Sequence, residues 1–346
     1  MQTVGYKGSK RKLLNTIERL AHDCGATTVF DGFSGTGIVS AHLRSKGFQV
    51  TANDVSPAST LMGRVFLEGY DPKEFDCYLQ IMKNLPLVEG WLTNNYSGER
   101  ERVIRGTNGS IECRPMAYTR VNAMRLDAAR DWIEQQTTIS AALKNALIFS
   151  VVLAADRAFN GTNDQKSSLK DWTTRALTPV SFPTPTLIEG PTGTQLNSDI
   201  LQLDSKAYDF VYLDPPYTHG VLYAACYHLN NSIAVWDKPQ LNYDYALPRP
   251  LDICFRDKGE TAGGFYNKST AAECFQHLLT QFDCKRIVLS YSNAPRNVLT
   301  PDELFAICSA VGTVSTYSVD HAICTQPSMF NKISTELKEL FITIDL

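Results

Sequence analysis

No apolar run in this chain approaches the roughly 20 residues that cross a bilayer. The opening MQTVGYKGSKRKLL carries a basic patch with no apolar stretch of signal-peptide type behind it, so the expectation is a cytoplasmic chain with no membrane partner. The nine cysteines, Cys24, Cys77, Cys113, Cys226, Cys254, Cys274, Cys284, Cys308 and Cys324, form no C-x-x-C pair, and no histidine stands at metal-ligand spacing. A metal site is therefore not expected, and buried thiols in a reducing compartment are. Internal repeats and low-complexity tracts are lacking too. So is G-x-G-x-x-G, the phosphate-binding fingerprint of dinucleotide enzymes. Net charge is only −3, which argues against a nonspecific polycation.

What is present is charge in focused places and enough apolar residues for a core. Residues 1–20 hold Lys7, Lys10, Arg11, Lys12 and Arg19 against Glu18, and from about 95 to 175 twelve basic residues face nine acids. Such patches on a mildly acidic protein fit a polyanion as well as they fit ordinary solvated helix faces. With 346 residues, 43% of them hydrophobic, the chain can bury one core plus a smaller appended lobe.

Buried-strand runs occur at TTVFD (27–31), FQVTAND (48–54), YDFVYLD (208–214), KRIVLSYS (285–292) and ELFITIDL (339–346), with a weaker one at GTVSTYSVD (312–320). Helical periodicity lies between them. Leu13, Leu14, Ile17 and Leu20 share a face after Ser9, an N-cap candidate, and AHLRSKG ends on Gly47. The alternation indicates an α/β fold with a mostly parallel sheet. Residues 76–189 interrupt it with two helical patterns, roughly 116–136 and 140–159, and a connector carrying four prolines, TPVSFPTPTLIEGPTG. They are expected to form an inserted, mainly helical lobe within a domain made of residues 1–75 and 190–346. A second irregular stretch, 235–268, is long and aromatic enough to bind something.

VFDGFSGTGIVSAHL reads as a strand, a glycine turn and a helix. Gly32, Gly35 and Gly37 let the backbone bend and a ligand approach closely, while the helix N-terminus offers free amides. Asp54 follows 17 residues after Gly37, at the end of the next strand, where a carboxylate can accept both hydroxyls of a ribose. Taken alone the turn suits a nicotinamide, a flavin or S-adenosylmethionine (AdoMet). Ser40 stands where a third glycine would fall, and the turn carries Asp31 and Phe33. Asp31 would repel a pyrophosphate but suits the amino group and sulfonium of AdoMet, so AdoMet is the expected cofactor.

The second constellation is VYLDPPYTHG, Val211 to Gly220. It places Asp214 at the carboxyl edge of a strand, the edge where open α/β sheets bind ligands. Pro215 and Pro216 fix their own φ and keep the residue before each extended. The arm then holds the Asp214 carboxylate and the Pro215 carbonyl outward, with the Tyr217 ring one step away. Two acceptors in one plane suit an NH2 group conjugated to a heteroaromatic ring: their hydrogen bonds help free the nitrogen lone pair, and Tyr217 stacks on the ring.

YKGSK (6–10), DGFSGTG (31–37), NDV (53–55), NSDIL (197–201) and YLDPPY (212–217), in that order, together with YHLNNSIAVWDKP (227–239) and VLSYSN (288–293), resemble the Dam-like AdoMet-dependent adenine-specific DNA methyltransferases. The resemblance implies a Rossmann-like seven-stranded, mostly parallel sheet ending in a reversed hairpin, for which 312–320 and 339–346 are the candidates. It implies that Tyr6 and Lys10 edge the cofactor and target pocket and that Phe33, Ser34, Gly35, Thr36 and Gly37 cradle the methionine part. Asp54 would hold the ribose, Asp199 would accept from the cofactor's adenine amine and Ile200 would pack on that ring. Asp214, Pro215, Pro216 and Tyr217 would be the catalytic arm. Asp204 is a rival for the Asp199 role. His219 and His228 are not needed by the chemistry, and Trp132 and Trp172 fit packing as well as base stacking.

The implied activity moves the methyl of AdoMet to the 6-amino group of adenine in double-stranded DNA, in a modification or restriction-modification system with a cognate restriction endonuclease as companion. A base inside a duplex must be flipped out to be reached. The expected DNA contacts are the basic N-terminal turn, the lobe's Arg100, Arg102, Arg105, Arg114, Arg120 and Arg125, and Arg249, Arg256 and Lys258 of the aromatic loop. Structured RNA as substrate and a catalytically silent DNA-binding module are the competing readings; the intact DPPY counts against silence.

Overall fold

The computed structural model describes residues 1–98, 117–162, 164–204, 206–218, 222–252, 264–320 and 338–346. The chain divides into two compact units, one of residues 1–7, 56–188 and 222–261, the other of residues 8–55, 189–221 and 262–346.

The second unit is built on a seven-stranded sheet. Its strands are β1 (Thr28–Asp31), β2 (Gln49–Asn53), β3 (Thr194–Leu196), β4 (Ala207–Leu213), β5 (Asp283–Ser292), β6 (Thr313–Asp320) and β7 (Lys338–Asp345). The order is β6-β7-β5-β4-β1-β2-β3. All neighbours pair in parallel except β7, which runs antiparallel to both β5 and β6. The reversed hairpin therefore forms from the two segments expected.

β1 and β4 bury their carboxyl-terminal halves, which is why their sequences read as continuous apolar runs rather than alternation. One face of the sheet is closed by helices Ala271–Thr280 and Pro301–Ser309, the second opened by a Thr300–Glu303 capping box. Phe275, Leu278 and Leu304 from these helices meet Phe30, Val211, Leu289 and Ile342 from the strands in one core.

Three local expectations change. β3 went unread, because TQL is a three-residue edge strand that follows directly on the proline connector. The first helix runs from Leu14 to Asp23 with Leu13 as its N-cap, so Ser9 caps nothing there; a turn closed by the Leu13 amide on the Lys10 carbonyl comes first. Among the described cysteines Cys226 and Cys308 are buried, but Cys77 is exposed on its helix.

The first unit is helical. Helices Arg120–Gln135 and Ala141–Ala158 fall close to the expected spans, each opened by a side-chain cap, from Thr119 and Ser140. Helix Ala141–Ala158 is apolar nearly all round because Pro57–Glu68, Pro72–Lys83, Arg120–Gln135 and His228–Val235 pack about it. Asp127, wholly buried, accepts from the amides of Gly90, Leu92 and Thr93 and so caps the short helix Trp91–Tyr96. No helix among the described residues is long and apolar enough to cross a membrane.

Candidate active site

The carboxyl ends of β1, β2, β3 and β4 lie in register: Asp31 is level with Ala52 and Tyr212, and Asn53 with Leu196. β1 is flanked by β2 on one side and β4 on the other, so the chain order reverses here, where open sheets part their loops and leave a crevice.

The glycine turn leaves β1 at this point. Gly35 and Gly37 sit at φ 52° and 71°, in the left-handed region, and Gly37 is the N-cap of helix Ile38–Ser45. Gly32 is required for space: a Cβ there would stand 2.7 Å from both Ile200 Cδ1 and Leu213 Cδ2. The Asp54 carboxylate accepts from the Gly35 amide at 2.7 Å, so it clamps the turn. Asn53, not singled out in the sequence, joins the ends of β1, β2 and β3; its amide nitrogen reaches the Ser198 carbonyl at 3.1 Å and its oxygen accepts the Ser198 amide at 3.1 Å.

Asp31 is fully buried beneath the turn. Oδ2 accepts from Ser40 Oγ at 2.5 Å, while Oδ1 has no partner among the described residues. Burial, with Asp214 and Asp54 nearby, pushes this carboxyl up to about 7, although Ser40 holds it down in part. Phe33 sets its ring edge-on to Phe265 at 5.5 Å. Asp199 is exposed and caps the turn Ile200–Gln202 through the Leu201 amide, with Ile200 buried behind Gly32.

Asp214 opens the arm as β4 ends. Its Oδ2 lies 2.8 Å from Lys10 Nζ, and Oδ1 has no hydrogen bond among the described residues. Burial raises the Asp214 carboxyl, Lys10 lowers it and Glu339 raises it again, to about 6. Burial works to lower the Lys10 ammonium, but Asp214, Tyr212, Tyr217 and Glu339 outweigh it and hold it well above its ordinary value. Tyr217 is fixed at both ends: its carbonyl accepts from the Val298 amide at 3.0 Å, and its ring meets Tyr291 at 4.5 Å. Tyr291 is itself buried with its hydroxyl on the Leu299 carbonyl. Within VLSYSN (288–293), then, Tyr291 supports the arm.

Lys10, Asp31, Phe33, Gly35, Asp54, Ile200 and Asp214 thus gather at one edge of the sheet unit. Tyr6 belongs to the helical unit, where its ring stacks on Tyr227 at 4.3 Å. His228 is buried there, bonded to the Gln165 carbonyl, and burial lowers it to about 4. Trp132 packs on Tyr78. Of the basic residues expected to meet a polyanion, Arg120 pairs with Glu89, Arg125 donates to the Leu85 carbonyl and Arg249 lies over the Tyr245 ring. Arg100, Arg102, Arg105, Arg114, Arg256 and Lys258, like His219, lie outside the described residues.

Glu339 and Ser290 were also missed. The one signal available was an acid at the head of the apolar run ELFITIDL, at a position buried in β7.

A glycine turn over a buried acid, followed by a DPPY arm on the neighbouring strand, defines a nucleoside-binding α/β fold of the methyltransferase class. The chain belongs to the D12 class N6 adenine-specific DNA methyltransferase family, whose family model matches residues 6–288. It is 25% identical over 340 residues to the modification methylase LlaI of Lactococcus lactis subsp. lactis, covering 95% of this chain and 51% of that one. It is 28% identical over 335 residues to the type II methyltransferase M.FokI of Planomicrobium okeanokoites, covering 91% and 48%. It is 29% identical over 311 residues to the type II methyltransferase M.NlaIII of Neisseria lactamica, covering 84% of each. The chain therefore spans about half the length of the first two relatives.

Proposed function

We propose that this chain transfers the methyl group of AdoMet to the exocyclic 6-amino group of adenine in double-stranded DNA, after the base is flipped out, as the cytoplasmic modification enzyme of a restriction-modification system with a cognate endonuclease. Family membership supports the target. The observation that carries the chemistry is the Asp214 carboxylate, held by a buried ammonium through Oδ2 and with no hydrogen bond on Oδ1 among the described residues, on a two-proline arm.

The residues around the glycine turn fit AdoMet. Asp31 presents a buried oxygen with no partner among the described residues, which suits a ligand bearing cationic groups and no phosphate. Gly32 keeps a cradle that a Cβ would fill. Asp31, Phe33 to Gly37, Asp54 and the Asp199–Ile200 turn would hold the cofactor, with Lys10 at the pocket's edge. AdoMet supplies an electrophilic methyl group.

The protein orients the amine. Asp214 Oδ1 and the Pro215 carbonyl accept its two hydrogens and free its lone pair, and Tyr217, braced by Tyr291, keeps the base flat. Above about pH 6, Asp214 is ionised and able to accept.

The test is transfer of labelled methyl from AdoMet to unmethylated genomic DNA, with RNA in parallel, followed by identification of the labelled nucleoside. Methylated deoxyadenosine is expected. Label only in RNA would overturn the substrate. Asp214→Ala should lower turnover by at least about a thousandfold while AdoMet affinity changes little. Near-normal turnover in that variant would remove the arm from the chemistry.

A further inference from the structure

Glu339 lies at the head of β7, level with Ser292 of β5. Its side chain is 4% exposed and Oε1 stands 3.3 Å from Lys10 Nζ; the same oxygen accepts from Ser290 Oγ. Lys10, whose side chain is 6% exposed, also contacts Asp214 at 2.8 Å and donates to the Gly8 carbonyl at 3.2 Å. Two carboxylates and a backbone carbonyl surround the ammonium, which stays charged.

A Lys10–Asp214 pair alone would be neutral; Glu339 makes the group singly negative. Burying a second carboxylate is costly. A glutamine at the same place would keep the hydrogen bond from Ser290 and the approach to Lys10 without that cost, so the charge itself calls for a reason.

We propose that Glu339 is a positioning residue for methyl transfer: its charge offsets that of Lys10, so that the arm presents one net negative charge to the target amine while Lys10 fixes the Asp214 carboxylate. The inference rests on the methyltransferase reading. In the transfer the amine lone pair forms the new N–C bond, and the sulfur–methyl bond breaks with its electron pair left on sulfur. The nitrogen carries positive charge until one of its protons passes to Asp214 and on to water. A neutral pair offers that charge no net counter-ion, whereas the triad does.

The groups facing Asp214 are Lys10 from the N-terminal loop, Tyr212 of β4, Asp31 of β1 and Glu339 of β7, and Tyr217 of the arm faces Lys10. Glu339 raises the proton affinity of Asp214, so removing its charge must lower it.

The experiment compares wild type with Glu339→Gln in two readouts: NMR titration of the Asp214 carboxyl in protein labelled with carbon-13 aspartate, assigned through Asp214→Asn, and single-turnover methylation of an unmethylated duplex between about pH 5 and pH 8. In the variant the Asp214 midpoint should fall by about one unit, the acid limb of the rate profile should move down with it, and the plateau should drop about tenfold, with AdoMet affinity unchanged. An unmoved midpoint, or a lower plateau with an unmoved limb, would overturn the proposal. Should Glu339→Gln not fold, Glu339→Asp sets the carboxylate one methylene further from Lys10 and should give a smaller shift in the same direction; no shift overturns the proposal. A wild type that methylates no DNA would sink the functional reading, and the Asp214 midpoint would still decide the coupling to Glu339.

Discussion

Asp31 has one oxygen satisfied by Ser40 and one, fully buried, with no partner among the described residues. Burial raises this carboxyl to about 7, above the roughly 3.9 of an unfolded aspartate. The folded state therefore holds its proton more tightly, and the stability this group contributes is full below about pH 4 and lost as pH rises through about 7. A cationic ligand reverses the balance, because it favours the ionised form. AdoMet affinity is accordingly expected to rise several-fold from about pH 6 to pH 8, and Asp31→Asn should abolish that dependence; isothermal calorimetry across the range checks it, and an equally steep rise in the variant would assign the effect elsewhere. Asp31, Asp54 and Asp214 were legible because each ends an apolar run. Glu339, Ser290 and Asn53 were not. Their roles come from strands that are distant in sequence and adjacent in the sheet, and no local pattern announces such a meeting.

At the scale of elements, the parallel strands were legible because burial on both faces writes itself as an unbroken apolar run, as in β1 and β4. β3 carried no such mark: it is short, lies at the sheet edge and, among the described residues, pairs only with β2. The turn after β1 depends on two separate properties of glycine. Gly37 supplies a left-handed φ, and Gly32 supplies room against Ile200 and Leu213, both locked in the core. Gly32→Ala is expected to cost about 1–3 kcal/mol through overpacking and to weaken AdoMet binding, because the turn must lift away from Ile200. Urea unfolding with and without AdoMet measures both; unchanged stability would mean that the core yields more readily than its packing suggests.

For the molecule as a whole, the sequence marked residues 76–189 as the departure from the sheet pattern, whereas the helical unit also takes in residues 1–7, 56–75 and 222–261. Helices Pro57–Glu68 and His228–Val235 join it because both pack on Ala141–Ala158, a contact invisible to periodicity. With a net charge of only −3, DNA binding would depend on local clusters of lysine and arginine. Affinity for duplex DNA is expected to fall at least about tenfold between about 50 and 200 mM salt, by fluorescence anisotropy; a salt-independent affinity would count against phosphate contacts. The alternation of the two units along the chain also bears on how the helical unit could be exchanged between related proteins. Residues 76–189 transplanted alone would leave behind two helices that complete their packing, so a recombinant made by a single crossover-bounded swap would inherit an incomplete helical layer. Diversification by shuffling would need matched exchanges at several junctions, which favours gradual divergence of the whole chain over the trading of one cassette.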